Sequence, residues 1–99
     1  MSRPDYAVYI GLDVGKQAHH ACALNVDGTR LHDKPLPQDE SSLRGLLTEL
    51  GTHGRLLVVV DQPATIGALP VAVARAMGID VAYLPGLAMR RIADLHPGN

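Results

Sequence analysis

Two continuous apolar runs, each closed by an aspartate, constrain this chain more than any other feature. The first is Tyr6-Ala7-Val8-Tyr9-Ile10-Gly11-Leu12-Asp13 and the second is Leu56-Leu57-Val58-Val59-Val60-Asp61. Short runs of this kind read as strands buried on both faces, the habit of parallel strands in an α/β sheet. Ligands gather at the carboxyl ends of such strands. If the two strands are neighbours they lie ~4.8 Å apart, so Asp13 and Asp61 could share one hydrated cation. Either aspartate alone could equally be a turn former at a strand end. The matching of the two ends is what points to a metal site.

The rest of the chain supplies elements in order, with little linker and no internal repeat. Residues 6–13 form the first expected strand, 20–26 the second and 29–36 the third, with Asp27-Gly28 between the last two. Asp-Gly between strand-like runs predicts an antiparallel hairpin closed by a tight primed turn. The third run carries Arg30, His32, Asp33, Lys34, Pro35 and Pro37, a composition that suits an exposed sheet edge. From Asp39 the period becomes helical, because Leu43, Leu46, Leu47 and Leu50 fall at i, i+3, i+4 and i+7. Asp39 or Ser41 can cap this helix and Gly51 can end it.

After Asp61, Pro63 breaks pairing and a second helix is expected to run to Met77, regular from Pro70, with Gly78 as its stop. Between Val71 and Met77 only Arg75 is polar, so that helix is expected to be covered on more than one side. Residues 79–84 read as a fifth strand and residues 87–95 as a last helix. Right-handed crossovers then add two parallel strands beside the first. The expected architecture is an α/β fold with a five-stranded mixed sheet in the order 3-2-1-4-5, which brings Asp13 and Asp61 to one edge.

Composition narrows the class. With 99 residues, a net charge of -1 and 46% hydrophobic residues, the chain makes one domain, burying about 60 to 65% of its unfolded surface. It lacks Phe and Trp, so its core must be aliphatic. The charge balance does not advertise nucleic-acid binding. A single cysteine, Cys22, precludes an internal disulfide and fits a reducing compartment. No apolar run approaches the ~20 residues of a membrane span, and Met1-Ser2-Arg3-Pro4-Asp5 is no signal-peptide core. A cytoplasmic location is the expectation.

Three groups of residues carry a resemblance to a known family. Gly11-Leu12-Asp13-Val14-Gly15-Lys16, then Val58-Val59-Val60-Asp61-Gln62-Pro63-Ala64-Thr65, then Leu84-Pro85 with His96-Pro97-Gly98-Asn99 resemble the start of a DEDD transposase of bacterial insertion sequences. These are the transposases with a RuvC-like N-terminal domain, also known as bridge-RNA-guided recombinases. The resemblance implies a ribonuclease-H-like fold, in agreement with the strand order argued above. It also implies four acidic residues that hold Mg²⁺ and a serine in a separate C-terminal domain that assists DNA strand exchange. Asp13 matches the first acid, and Asp61 matches the second, where the family usually has glutamate. The remaining two would lie beyond Asn99, so residues 1–99 are expected to be a C-terminally truncated RuvC-like domain, inactive alone. DNA, a guide RNA and further copies of the protein are the implied partners.

The chemistry accounts for the number of acids. Two-metal phosphodiester cleavage uses cations about 3.5 to 4 Å apart, and Mg²⁺ takes hard oxygen ligands while keeping several waters. Two carboxylates are too few for the whole site. Of the basic residues, Lys16 could touch a phosphate but is also an ordinary solvated turn lysine, and Arg90 and Arg91 could meet nucleic-acid phosphates or simply form a charged helix face. His19 and His20 point to opposite faces if extended, and His32, His53 and His96 show no ligand spacing. Two other classes fit the same pattern of strands: an actin-like sugar kinase, whose phosphate loop would need a further glycine and hydroxyl after Asp13, and an interaction domain in which the two acids merely end strands.

Overall fold

The structure, a computed structural model, describes residues 6–14 and 19–84. Its elements are β1 (Val8–Val14), β2 (His19–Asn25), β3 (Arg30–Pro35), α1 (Glu40–Gly51), β4 (Leu56–Val60), α2 (Pro63–Ile66), α3 (Leu69–Ala76) and β5 (Asp80–Tyr83). The helix expected over residues 87–95 lies outside the described residues. The strands form one sheet in the order β3-β2-β1-β4-β5. β1 is antiparallel to β2 and parallel to β4, and β5 continues the parallel half. This is the expected mixed sheet, with β3 at its edge.

Residue alternation sorts the sheet into two faces. Val8, Ile10 and Leu12 of β1 lie in register with Leu56, Val58 and Val60 of β4, and Ile10 and Leu12 with Ala23 and Ala21 of β2. These side chains join Leu43, Leu47 and Leu50 of α1 and Val71, Val73 and Ala74 of α3 in one buried cluster. The other face carries Tyr9, Gly11 and Asp13, flanked by Leu24, Cys22 and His20 on β2 and by Leu57 and Val59 on β4. Leu24 is 1% and Val59 4% exposed, so the centre of the sheet is apolar on both sides. The unbroken runs of β1 and β4 are the sequence form of that double burial.

Local chemistry sets the ends of the elements. Asp39 is the N-cap of α1, its side chain accepting a hydrogen bond from the Ser42 amide at 2.8 Å. The helix ends on Gly51 with Thr52 as its cap, while the glycine with positive φ comes two residues after that cap, at Gly54. Pro70 stands in the first turn of α3, where its missing N–H costs nothing. That helix buries Pro70, Val71, Val73 and Ala74 but leaves Ala72, Arg75 and Ala76 exposed. Among the described residues it is therefore covered on one side, not several.

The β2–β3 hairpin also differs from expectation. Among the described residues none other than glycine has positive φ, and in this turn only Gly28 does, at 82°. A primed two-residue turn would need it at Asp27 as well. Instead the Gly28 amide donates to the Asn25 carbonyl at 3.0 Å and the Asn25 amide to the Thr29 carbonyl at 3.0 Å, closing a three-residue turn with glycine last. The Asn25 side chain decides the choice, since its Oδ1 accepts from the amides of Asp27 and Thr29 at 2.9 Å each.

Two outcomes follow for stability. A Cβ at Gly54 would lie 2.7 Å from the Ala7 Cβ, on a backbone with φ of 130°, so Gly54→Ala should cost about 1–3 kcal/mol, read as a lower urea midpoint. The amide and hydroxyl of Ser42 hold the Asp39 carboxyl below its usual range. Its capping contribution is complete above the ordinary carboxylate pKa and is lost as pH falls through the depressed folded value. Asp39→Ala should therefore lower the midpoint at pH 7, and the gap to the parent chain should close at strongly acid pH.

Candidate functional site

The parallel pairing of β1 and β4 is what positions the acids. Their register runs from Val8 opposite Leu56 to Leu12 opposite Val60. One residue further along each chain stand Asp13, still within β1, and Asp61, just past the end of β4. Asp13 has an odd number in a strand whose even residues face α1 and α3, so it belongs to the opposite face, at the carboxyl end, and Asp61 directly follows the carboxyl end of the neighbouring strand. Pairing stops at Val60 because Pro63 opens α2 almost at once, and the Val60 carbonyl instead accepts the Leu84 amide at 2.8 Å. Asp13 is exposed and Asp61 half-buried.

A third polar residue stands in the same row. His20 is the direct cross-strand partner of Asp13, and directly opposed side chains in an antiparallel pair have Cβ atoms about 4.5–5.5 Å apart. His20 Nε2 is hydrogen-bonded to Asp33 Oδ1 on β3, and Asp33 Oδ2 accepts from Arg30 Nη1 at 3.0 Å. The bond with His20 is the main cause that holds the Asp33 carboxyl below its usual range. Sequence spacing gave no sign of this row, because its members come from β2, β1 and the end of β4; the strand order plus residue parity would have found it.

The donor set fits Mg²⁺ in kind: carboxylate oxygens on adjacent strand ends are the hard ligands that this ion takes. Among the described residues no three His, Cys, Asp or Glu side chains gather closely enough to hold a metal ion, so Asp13 and Asp61 alone would not make a whole metal site. Lys16, Arg90 and Arg91 lie outside the described residues. His32 and His53 stand apart from the acids, His32 on β3 and His53 in the turn after α1. Among the described residues no helix is long and apolar enough to cross a membrane.

At the other end of the sheet the polar groups do structural work. Tyr6 donates its hydroxyl to Asp80 Oδ2 at 2.6 Å, and the Arg55 guanidinium lies 5.6 Å from the Tyr6 ring centre and 3.4 Å from the same carboxylate. This clasp ties the start of β1 to the starts of β4 and β5. The hydrogen bond to Asp80 raises the Tyr6 pKa.

A five-stranded mixed sheet in this order is a ribonuclease-H-like fold. The catalytic core domain of the BIV integrase superposes with a TM-score of 0.50, at 11% identity, over 89% of this chain and 60% of that one. Residues 10–99 match the family model of the IS110 DEDD transposases, described as transposase. The protein of insertion element IS110 from Streptomyces coelicolor is 58% identical over 96 residues, or 96% of this chain and 24% of the relative. That of IS900 from Mycobacterium paratuberculosis is 31% identical over 93% of the chain and 24% of its own length. The chain belongs to the IS110 family of DEDD transposases. It spans about a quarter of the length of these curated relatives. This membership favours neither the sugar-kinase reading nor that of an interaction domain.

Proposed function

We propose that this chain contributes Asp13 and Asp61 as oxygen ligands for Mg²⁺ in the strand-cleavage site of a DNA transposase. The observation that carries the reading is their adjacency at the carboxyl ends of β1 and β4, in a chain of a transposase family. Bound there, Mg²⁺ would supply charge stabilisation to a phosphodiester in displacement and lower the pKa of a bound nucleophile. Asp13 and Asp61 hold oxygen atoms at fixed positions on rigid strand ends, so little is left to order when the substrate arrives. By resemblance, two further acids complete the site elsewhere in the protein, residues 1–99 are one part of a RuvC-like domain, and a guide RNA accompanies the DNA.

In the full-length transposase, Asp13→Asn and Asp61→Asn should each cut DNA recombination by about 10³-fold or more, the equivalent of ~4 kcal/mol of transition-state stabilisation. Melting temperature should hardly move, because neither side chain belongs to the buried cluster. Wild-type recombination by either variant in an excision assay removes that residue from the site.

Residues 1–99 alone should bind Mg²⁺ weakly and cleave no DNA, since two carboxylates leave much of the cation's dehydration uncompensated. Leu69, Tyr83 and Leu84 are large apolar side chains left exposed, a surface that self-association hides. Light scattering on this chain should therefore read a mass above 10.5 kDa. A strictly monomeric sample that cleaved DNA in Mg²⁺ would refute both statements.

A further inference from the structure

The edge strand β3 pairs with β2 alone. Within it His32 stands opposite Ala23, and directly opposed residues of an antiparallel pair share a face. Ala23 is 0% exposed and lies in the cluster with Leu43, Leu47 and Leu50 of α1, so His32 belongs to the face that α1 covers, away from Asp13. Beside it the ladder is interrupted, because the register shifts between Ala23 and Leu24. The ring is half-buried, and its Nε2 atom is buried with no hydrogen-bond partner among the described residues. Neutral imidazole tolerates this with a bare lone pair at Nε2 and its hydrogen on Nδ1. Imidazolium carries hydrogen on both nitrogens, whichever tautomer it came from, and a buried N–H without an acceptor loses its hydration with nothing in return. Burial is accordingly the largest influence on this ring and lowers its pKa; Lys34 on β3 and His20 on β2 act the same way, against Glu49 on α1 and Asp33 on β3. Both oxygens of Asp33 are already bonded, to His20 Nε2 and Arg30 Nη1.

We propose that His32 is a proton-operated latch of the edge strand: neutral, it seats β3 against the α1 face; protonated, it releases β3 while the other four strands stay paired. The sign follows from linkage. A histidine whose pKa is lowered by folding contributes stability that is complete above the ordinary value of about 6.5 and is lost as pH falls below it toward the folded value. The loss is local, because an edge strand held on one side, next to an irregular step in its ladder, opens at less cost than the centre of the sheet. The latch stands apart from the reading of Asp13 and Asp61 as ligands and holds whether or not they bind a cation.

Amide hydrogen exchange in the full-length transposase, with rates corrected for the intrinsic effect of pH, tests this without relying on activity. From about pH 7.5 to about pH 5.5 the β3 amides should lose up to about tenfold in protection, the change expected when a group that titrates near 6.5 in the open strand stays neutral in the closed one. The amides of β1 and β4 should keep theirs. His32→Leu and His32→Gln remove the titrating group, one with an apolar side chain and one with a polar one. In both, β3 protection should be flat across the same range, even where the substitution lowers it at every pH. Wild-type β3 protection that does not change with pH overturns the proposal, and so does the same fall in both variants. A fall shared equally by β1 and β4 overturns it as well, because the opening would then be global and not that of the edge strand.

Discussion

Parallel pairing between β1 and β4 is the constraint on which the rest of this structure depends. It joins two segments more than forty residues apart in sequence, with Val8 opposite Leu56 and Leu12 opposite Val60. A slip of one residue would turn the buried set of β4 to the other face, taking Val58 and Val60, which are 1% and 0% exposed, away from the cluster with α1 and α3. The same slip would carry Asp61 away from Asp13. Burial therefore enforces the register, and the register places the acids. The connection between the strands adds direction, since a right-handed crossover through α1 puts the helix on the face where Leu43, Leu47 and Leu50 meet the even-numbered residues of β1.

Polarity is divided between the two ends of the sheet. At the amino end, Tyr6, Arg55 and Asp80 satisfy one another across three strands. At the carboxyl end, Asp13 stands exposed, and the carboxylate that has partners, Asp33, is on the edge strand. The sheet thus pairs its charges at one end, while Asp13 and Asp61 follow neighbouring strand ends at the other, the end of an α/β sheet where ligands collect.

Much of this was legible in the sequence because burial writes itself as pattern. The apolar runs before Asp13 and Asp61, the i, i+3, i+4, i+7 leucines of α1 and the prolines of β3 each have one simple structural reading, and the strand order followed from them by handedness. What escaped was decided by side chains bonding to distant or local backbone. Asp27-Gly28 looked like a two-residue turn, yet Asn25 gathers two amides and closes a wider one. Gly51 does end α1 as expected, but the positive φ falls at Gly54, where the backbone passes against Ala7. Arg75 was the one polar residue expected on α3, but Ala72 and Ala76 share its exposure, because alanine does not declare a face. His20 carried no signal at all, since its neighbours Asp13 and Asp33 are defined only once the strands are paired.

The central claim is that Asp13 and Asp61 hold one cation between two strand ends. Anomalous diffraction from crystals of the full-length protein grown with Mn²⁺ tests it most directly. The account predicts a peak with oxygen atoms of Asp13 and Asp61 either about 2.1 Å away or one water removed, the distances that a small hard divalent cation allows. A well-occupied peak held by other residues, with these two carboxylates turned away from it, would contradict the account.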